Sequence, residues 1–329
     1  MDSNKAIINV ELDEALEEDL IKQHRITKED ARANLGVLAS FTSNLLAVLF
    51  NVYSQTLPQF RGFILKCINA YLSITPPDEL VDTFGKVTSM LEGSLADSVA
   101  PTQLEREKAK KSVETMPPMA HTLMDLVITI SPYLPLESYQ QLLIIFNAVI
   151  NKQDDPQLQK KAYKVISRMA ESQSGKRVLS AQVVAIQKVL LDSAETASAP
   201  ARRDRLDAVA HLIEHLPADD LHFIPAILSE VVISAKEVNE RARTAAFDLL
   251  VSMGEKMKQG GTVVNSRIPG MPADAPNVPA TLEEYFTMVS AGLAGSSPHM
   301  ISASITALTR ILYQFLGKKP HSRVCIIDE

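Results

Sequence analysis

Apolar residues recur along most of the chain at the i, i+3, i+4 and i+7 spacing of an amphipathic helix, and the alternation typical of strands is scarce. Prolines interrupt this pattern at intervals of roughly 15–25 residues, for example at Pro156, Pro217 and Pro298, as expected where one helix ends and another begins. Proline is tolerated in a first helical turn because its missing N–H would be unpaired there in any case. The pattern predicts an all-α protein with short turns between its helices.

The predicted helices repeat. Residues 155–171 match residues 239–255, which lie 84 positions further along, and Tyr163 corresponds to Phe247 in this alignment. Leu206 takes the equivalent position in between, so the spacings are 43 and 41 residues. These spacings are the length of a HEAT or armadillo unit, in which two helices form one supersecondary repeat.

Two insertions interrupt the repeat. The next equivalent apolar position, Ile305, follows Phe247 by 58 residues because a stretch rich in glycine and proline, residues 258–279, separates them. We predict a loop there, since the stretch has no periodicity. A second insertion near residues 93–118 contains the charged run EREKAKK, Glu105–Lys111, which we expect to be solvated.

A further apolar helix is predicted before each repeated helix. These first helices are expected at residues 137–152, 181–193, 219–236 and 282–294. Because one pair of helices cannot bury both of its faces, stacked pairs share a continuous core. The sequence therefore predicts an α-solenoid, a superhelix of HEAT/armadillo-like antiparallel helix pairs. A compact helical bundle is the less favoured alternative, because the matched patterns persist over so much of the chain.

The expected boundaries of this organisation follow from the same patterns. An acidic N-terminal segment spans residues 1–28, the solenoid spans residues 29–317, and residues 318–329 form an atypical C-terminal tail. The tail does not resemble a further repeat or a polar cap, so we expect the chain to be part of a longer solenoid. The acidic segment is expected either to cap the solenoid or to serve as a docking peptide.

Charge and cysteine content narrow the class of protein. Residues 1–30 hold nine acids against four bases, a net of −5, whereas the whole chain carries −6, so the remainder is nearly neutral and does not have the bulk charge of a basic nucleic-acid module. Cys67 and Cys325 alone form neither a disulfide framework nor a cysteine-based zinc site. With no signal-peptide pattern and no long apolar run, we expect a reducing compartment and no membrane span.

The stretch HLIEH, from His211 to His215, matches the H-x-x-E-H pattern of a class of zinc metalloproteases. In the repeat frame, Leu206, Val209 and Ile213 form the apolar stripe of this helix, and both histidines lie on its opposite side. A catalytic zinc also requires a third ligand and an enclosing cavity. We therefore predict two exposed histidines and no metal site, and a metalloprotease is only a remote alternative.

Other signatures of catalysis are missing from the sequence. The chain has no Walker A loop, no G-x-G-x-x-G loop and no G-x-S-x-G elbow. Paired carboxylates such as Asp154–Asp155 and Asp219–Asp220 stand at predicted helix starts, where they satisfy free N–H groups and the helix dipole. We predict a protein that is not an enzyme, with no cofactor and no small-molecule substrate.

Basic residues open three successive repeated helices and form the candidate binding site. Stacking at the repeat period would align them along one edge, where they could track the phosphates of RNA or an acidic partner segment. The alternative is that they pair with neighbouring acids in ordinary salt bridges between repeats. The basic ladder comprises Lys160, Lys161, Lys164, Arg202, Arg203, Arg205, Arg241 and Arg243.

Three stretches resemble the central region of the ribosomal-RNA-processing protein 12 family of HEAT-repeat proteins. They are MDLVITISPYLP (Met124–Pro135), QKKAYKVISRM (Gln159–Met169) and the longer segment Met288–Phe315, which is the most specific. The resemblance covers residues 30–317. Members of that family are several times longer than this chain.

The resemblance implies a function that the residue patterns alone do not give. It implies a factor of the nucleus and nucleolus, bound to pre-ribosomal particles and pre-rRNA, that supports rRNA processing and the nuclear export of ribosomal subunits. We accordingly expect a non-enzymatic scaffold or adaptor in ribosome biogenesis. The alternative is a solenoid that works like a nuclear transport receptor and chiefly binds Ran GTPase and nucleoporins.

Overall fold

A computed structural model describes residues 22, 27–97 and 116–317 of the chain. These residues contain fourteen α-helices and one two-stranded antiparallel pair, so the all-α prediction is confirmed. Three predicted features lie outside the described residues: most of the acidic N-terminal segment, the charged run Glu105–Lys111 and the C-terminal tail 318–329.

The chain divides into two compact units. Of the described residues, unit 1 comprises 22, 27–97, 116–148 and 171–175, and unit 2 comprises 149–170 and 176–317. The predicted organisation as a single array over residues 29–317, with its segment boundaries, stays a prediction.

Unit 1 is built, over its described residues, from six helices, the last of which ends just beyond the unit boundary. They are α1 (Lys28–Ala39), α2 (Thr42–Gln55), α3 (Arg61–Leu72), α4 (Pro77–Asp97), α5 (Met119–Ile130) and α6 (Tyr139–Ile150). Within this unit α2 packs against α3, α4 packs against α5, and α5 also contacts α3. Leu46, Ile68, Leu91 and Met124 are fully buried between these helices. Four aromatic side chains, those of Tyr53, Phe84, Tyr139 and Phe146, are buried with them.

Unit 2 contains eight further helices and a short hairpin among its described residues. They are α7 (Pro156–Met169), α8 (Gln173–Ala181), α9 (Val183–Asp192), α10 (Arg202–Glu214), α11 (Phe223–Ser234), α12 (Glu240–Lys258), β1 (Thr262–Val263), β2 (Val278–Pro279), α13 (Leu282–Ala291) and α14 (Pro298–Leu316). The start of α8 belongs to unit 1, because the unit boundary falls between Gly175 and Lys176.

The helices of unit 2 lie in two layers. In one layer α7 contacts α10, α10 contacts α12, and α12 contacts α14; in the other, α9 contacts α11, and α11 contacts α13. The layers join where α9 packs on α10, α11 on α12, and α13 on α14. This is the arrangement that the repeat predicted, with first helices in one layer and repeated helices in the other. It buries Tyr163 and Leu206, the predicted equivalent positions of α7 and α10, to 0% and 1% exposure.

The sequence predicted the wrong buried face for the last repeated helix, α14. Ile305, the predicted equivalent of Leu206, is 54% exposed. The buried face of α14 is formed instead by Ala303, Ala307 and Ile311, which recur at the four-residue spacing of one helical stripe. The long insertion before α13 left no fixed spacing from which to count the phase of α14.

The insertion after α12 carries a short antiparallel strand pair at its base, which its composition did not predict. β1 and β2 pair with Thr262 opposite Pro279 and Val263 opposite Val278. The Thr262 N–H donates to the carbonyl of Ala218 over 2.7 Å, and the carbonyl of Thr262 accepts from the Leu221 N–H over 2.9 Å. These backbone bonds fasten the base of the insertion to the turn between α10 and α11, and Val263 is fully buried there.

Candidate functional site

The basic ladder lies on α7, α10 and α12, the neighbouring helices of one layer of unit 2. Two of these helices begin at a recognisable side-chain cap. Asp155 accepts a hydrogen bond from the Leu158 N–H at the start of α7, and Asn239 accepts from the N–H groups of Arg241 and Ala242 at the start of α12. Because these caps fix where the helices begin, they place Arg241 and Arg243 at the start of α12, and they place the three lysines in the second and third turns of α7.

The lysines of α7 differ in their surroundings. Lys164 is exposed, whereas Lys160 and Lys161 are half-buried. The Lys160 ammonium lies 3.8 Å from a carboxylate oxygen of Asp204 on α10. This pair shows that the second turn of α7 lies beside the start of α10, and it also supports the predicted alternative of salt bridges between repeats.

Arg202 and Arg203 open α10 and keep part of their surface in solvent. Arg202 forms an ion pair with Glu237, which precedes α12, and the Arg203 Nε lies 3.5 Å from a carboxylate oxygen of Asp207 within the same helix. The Arg203 side chain is 49% exposed. The positive charges of both arginines are therefore partly compensated by acids, but both side chains remain accessible to solvent.

Arg205 must be removed from the exposed ladder. Its side chain is 0% exposed. Its Nη1 donates to the hydroxyls of Ser193, over 3.0 Å, and Tyr163, over 3.3 Å, and its Nη2 donates to the Leu190 carbonyl over 2.7 Å. Together with two bonds to Glu230, these contacts occupy the guanidinium inside the protein, so no partner can reach it in this structure.

The arginines that open α12 complete the ladder. Arg241 is exposed, and Arg243 is half-buried and donates from Nη1 to the carbonyl of Glu237 over 2.8 Å. Seven of the eight predicted basic residues thus retain exposed surface, and Arg205 does not. The three helices that carry them are neighbours in one layer.

A groove of about 550 Å³ lies between α10 and α12. One wall is formed by Arg203 and Asp207, and the other by Glu240, Arg241, Thr244 and Asp248, with Ala245 also lining it. Acids and bases are thus mixed along the groove. The sequence predicted salt bridges between the bases and neighbouring acids, but it did not indicate Asp248 or Thr244, whose place opposite α10 depends on how the helices pack.

The acids of the groove repel one another. Burial raises the pKa of Asp207, the charges of Asp204 and Asp248 raise it further, and the Arg203 guanidinium opposes this shift. Asp204 is itself 6% exposed, and its Oδ2 makes no hydrogen bond to a described residue. Negative charge around Asp207 is therefore only partly compensated by the neighbouring bases.

The HLIEH stretch forms the end of α10, and its histidines are not simply exposed as predicted. Both are half-buried, and His215 Nδ1 lies 2.9 Å from the Ser180 hydroxyl while its Nε2 is buried without a hydrogen-bond partner among the described residues. Burial lowers the pKa of His215; Glu214 opposes this shift, and the nearby positive charges of Lys176, His211 and Lys256 add to it.

Two features of the described residues concern metal binding and membrane insertion. In residues 22, 27–97 and 116–317, no group of three or more His, Cys, Asp or Glu side chains is placed to hold a metal ion. Over the same residues no single helix has the length and apolar character of a membrane span, although α1 and α2 together meet those criteria across a 60° bend.

Comparison with known proteins reveals clear sequence relatives. A family profile described as "Ribosomal RNA-processing protein 12, HEAT repeats" matches residues 1–56. The chain is 36% identical over 304 residues to Ribosomal RNA-processing protein 12 of Saccharomyces cerevisiae, a match that covers 92% of the chain and 24% of that protein. The helix layers and the HEAT repeats of the matching family together confirm the predicted α-solenoid class.

Two further relatives agree with these matches. A Schizosaccharomyces pombe protein named "Putative ribosomal RNA-processing protein 12" is 34% identical, with 88% of the chain and 23% of that protein covered. The human "RRP12-like protein" is 29% identical, with 87% and 20% covered. The chain spans about a quarter or less of the length of the curated relatives it matches.

Proposed function

Because the chain belongs to the ribosomal RNA-processing protein 12 family, we propose that it is a HEAT-repeat ribosomal RNA-processing factor that acts as a scaffold without catalysis. The similarity over 92% of the chain to a relative of that name carries the proposal. The described residues offer stacked helices with a charged outer face, which suits the binding of partners along a surface.

The proposed place of action is the pre-ribosomal particle in the nucleus and nucleolus. The names of the relatives support processing of ribosomal RNA. A role in the nuclear export of ribosomal subunits extends this proposal to a later stage of the same particle.

The exposed part of the basic ladder is the proposed RNA contact. Lys164, Arg203 and Arg241 keep accessible surface, each on a different helix of the layer. A row of cations on neighbouring helices suits a phosphate backbone, whose binding releases counterions and therefore weakens with salt. The surrounding acids predict modest affinity and a small number of phosphate contacts.

Crosslinking of the chain in cells, followed by sequencing of the bound RNA, tests the proposed function. Enrichment of pre-rRNA fragments is the expected result. A chain that recovers Ran GTPase and nucleoporins but no pre-rRNA would instead support the transport-receptor alternative.

Charge reversal tests the ladder in vitro. We expect Lys161→Glu together with Lys164→Glu to weaken binding to single-stranded RNA and to reduce the slope of log affinity against log salt by about 1 for each phosphate that is no longer bound. Lys188→Glu, an exposed change on α9 in the other layer, is the matched control. Equal affinities for the double variant and the control would reject the ladder.

A further inference from the structure

The groove between α10 and α12 has a charge pattern that suits one class of partner. Its walls carry three carboxylates, of Asp207, Glu240 and Asp248, against the two guanidiniums of Arg203 and Arg241. We infer that this groove binds a lysine or arginine side chain presented by a partner protein. The inference deepens the proposed scaffold function, on which it rests, by naming the chemistry of a partner.

With three acids against two arginines, the lining of the groove carries one net negative charge. Arg203 lies beside Asp207 at 3.5 Å, so that carboxylate has a partner within its own helix. The Asp248 carboxylate on the facing wall is exposed and forms no hydrogen bond or ion pair with another described residue. A cation between Asp207 and Asp248 would relieve the repulsion between them without displacing an existing bond.

The shape of the groove suits a long side chain. A volume of about 550 Å³ exceeds what a single ion needs and accommodates an aliphatic stem together with its charged head. The methyl group of Ala245 and the side chain of Thr244 are the uncharged parts of the lining, where such a stem can lie while the head reaches the carboxylates. Lysine and arginine combine an apolar stem with a cationic tip, and both sit well across such a lining.

RNA is the less suitable occupant of this particular groove. A phosphate placed near Arg203 and Arg241 would also face Asp207, Glu240 and Asp248, and like charges at short range cost free energy. RNA following the ladder would therefore pass outside the groove, where it can contact Lys164 and the solvent-exposed sides of Arg203 and Arg241.

Binding of two labelled peptides and one RNA to the full chain tests the inference. The probes are a peptide of alternating lysine and alanine, a peptide of alternating glutamate and alanine, and a short oligouridylate, each measured by fluorescence anisotropy at low salt. We expect the basic peptide to bind more tightly than the acidic one. Asp207→Asn with Asp248→Asn should weaken the basic peptide by about fivefold, since exposed ion pairs are individually modest.

Matched variants separate a groove effect from a general charge effect. Asp274→Asn with Glu283→Gln removes two carboxylates of the same unit outside the groove, and it should change the affinity for the basic peptide by less than about twofold. If Asp207→Asn lowers the melting temperature, the affinity of the single variant Asp248→Asn is compared instead, because the Asp248 side chain is exposed. Equal losses of affinity in the groove and control variants would overturn the inference.

Reversing the charge at Asp248 changes the affinity for a protein partner and for RNA in different ways, and this difference distinguishes the two. Asp248→Lys should weaken the basic peptide and improve the acidic one. If the groove is instead part of the RNA path, the same change strengthens oligouridylate binding and leaves the basic peptide unaffected, and the inference is rejected. Recovery of pre-rRNA in cells does not depend on these outcomes, so the proposed scaffold function stands or falls separately.

Discussion

The guanidinium of Arg205 on α10 forms two hydrogen bonds with the carboxylate of Glu230 on α11, from Nε to Oε1 over 2.6 Å and from Nη2 to Oε2 over 2.9 Å. This paired arrangement holds a charge that has no access to solvent. Unit 1 contains a similar device, in which the buried Arg61 lies 4.5 Å over the ring of Tyr53. In each unit, a buried arginine joins helices from inside.

Loss of the Arg205 guanidinium should destabilise unit 2. Arg205→Ala removes one of the donors to the Leu190 carbonyl and to the Ser193 hydroxyl, and it separates Glu230 from its buried partner. We expect the free energy of unfolding to fall by about 3 to 5 kcal/mol, as when one member of a buried pair is removed. Urea denaturation followed by circular dichroism measures the change.

The neighbouring Arg203 provides the control for this prediction. Arg203→Ala removes a side chain that is 49% exposed, so its effect on stability should stay within about 1 kcal/mol. A stable Arg205→Ala variant with weakened RNA binding would return Arg205 to the ladder and contradict the structure.

Gly254 on α12 marks a close approach to α14. A Cβ atom added there would lie 2.8 Å from the ring of Phe315 and 3.1 Å from the ring of Tyr285. We expect Gly254→Ala to lower the free energy of unfolding by about 1 to 3 kcal/mol through overpacking. Gly85→Ala is the matched control, since Gly85 is helical with nothing within 4 Å of the added atom, and alanine there should stabilise by up to about 1 kcal/mol. Two changes of the same sign would refute the packing argument.

Gly261 fastens the insertion to the rest of unit 2. Its φ is +131°, and an added Cβ would lie 2.1 Å from the carbonyl oxygen of Ala218, a backbone atom that cannot move aside cheaply. Gly261→Ala should therefore break the bond from the Thr262 N–H to Ala218 and expose the Leu221 N–H. Hydrogen exchange at these two amides should accelerate strongly.

Substitution of Gly270 is the control that separates the effect of backbone strain from the effect of a steric clash. Its φ is +84°, but an added Cβ there meets nothing within 4 Å. We expect Gly270→Ala to cost about 1 to 2 kcal/mol, the usual cost of a left-handed conformation for an L residue, without faster exchange at the hairpin base. Similar exchange rates in both variants would show that the base of the insertion is not held by this contact.

The helices could be predicted from the sequence because burial imposes a periodic pattern on each of them. Tyr163 and Leu206 were placed correctly for this reason. The partners of Arg205 could not be predicted, because Glu230 lies 25 positions after it and Tyr163 lies 42 before it, and no local spacing connects them. The docking of the insertion depends on backbone groups such as the Ala218 carbonyl, which every residue type carries. The groove likewise depends on helix packing, although both of its walls were recognised as charged.

Tyr53 makes unit 1 sensitive to alkali. Burial raises the pKa of Tyr53 to about 12, the charge of Asp125 adds to this shift, and Arg61 opposes it. The raised pKa means that the folded state favours the neutral phenol. The contribution of Tyr53 to the free energy of unfolding is therefore fully present below the ordinary pKa of 10, and it is lost as the pH rises from 10 towards 12. The absorbance of tyrosinate should show a phenol that titrates late. Tyr53→Phe should remove that titration and flatten the fall of stability over this range, and an unchanged profile would contradict the assignment.

His215 makes the stability of unit 2 sensitive to acid, whereas Tyr53 makes that of unit 1 sensitive to alkali. Its pKa is lowered by burial, against the effect of Glu214 and with the help of Lys176, so the folded state favours the neutral ring. A lowered histidine pKa contributes stability above the ordinary value of 6.5, and this contribution is lost as the pH falls through 6.5 to the folded-state value. Unfolding by urea should therefore need less denaturant at about pH 5 than at about pH 8. His215→Gln should reduce this difference, while the exposed His299→Gln at the start of α14 should leave it unchanged. Equal pH dependence in the two variants would mean that the ring of His215 is hydrated and not held against Ser180.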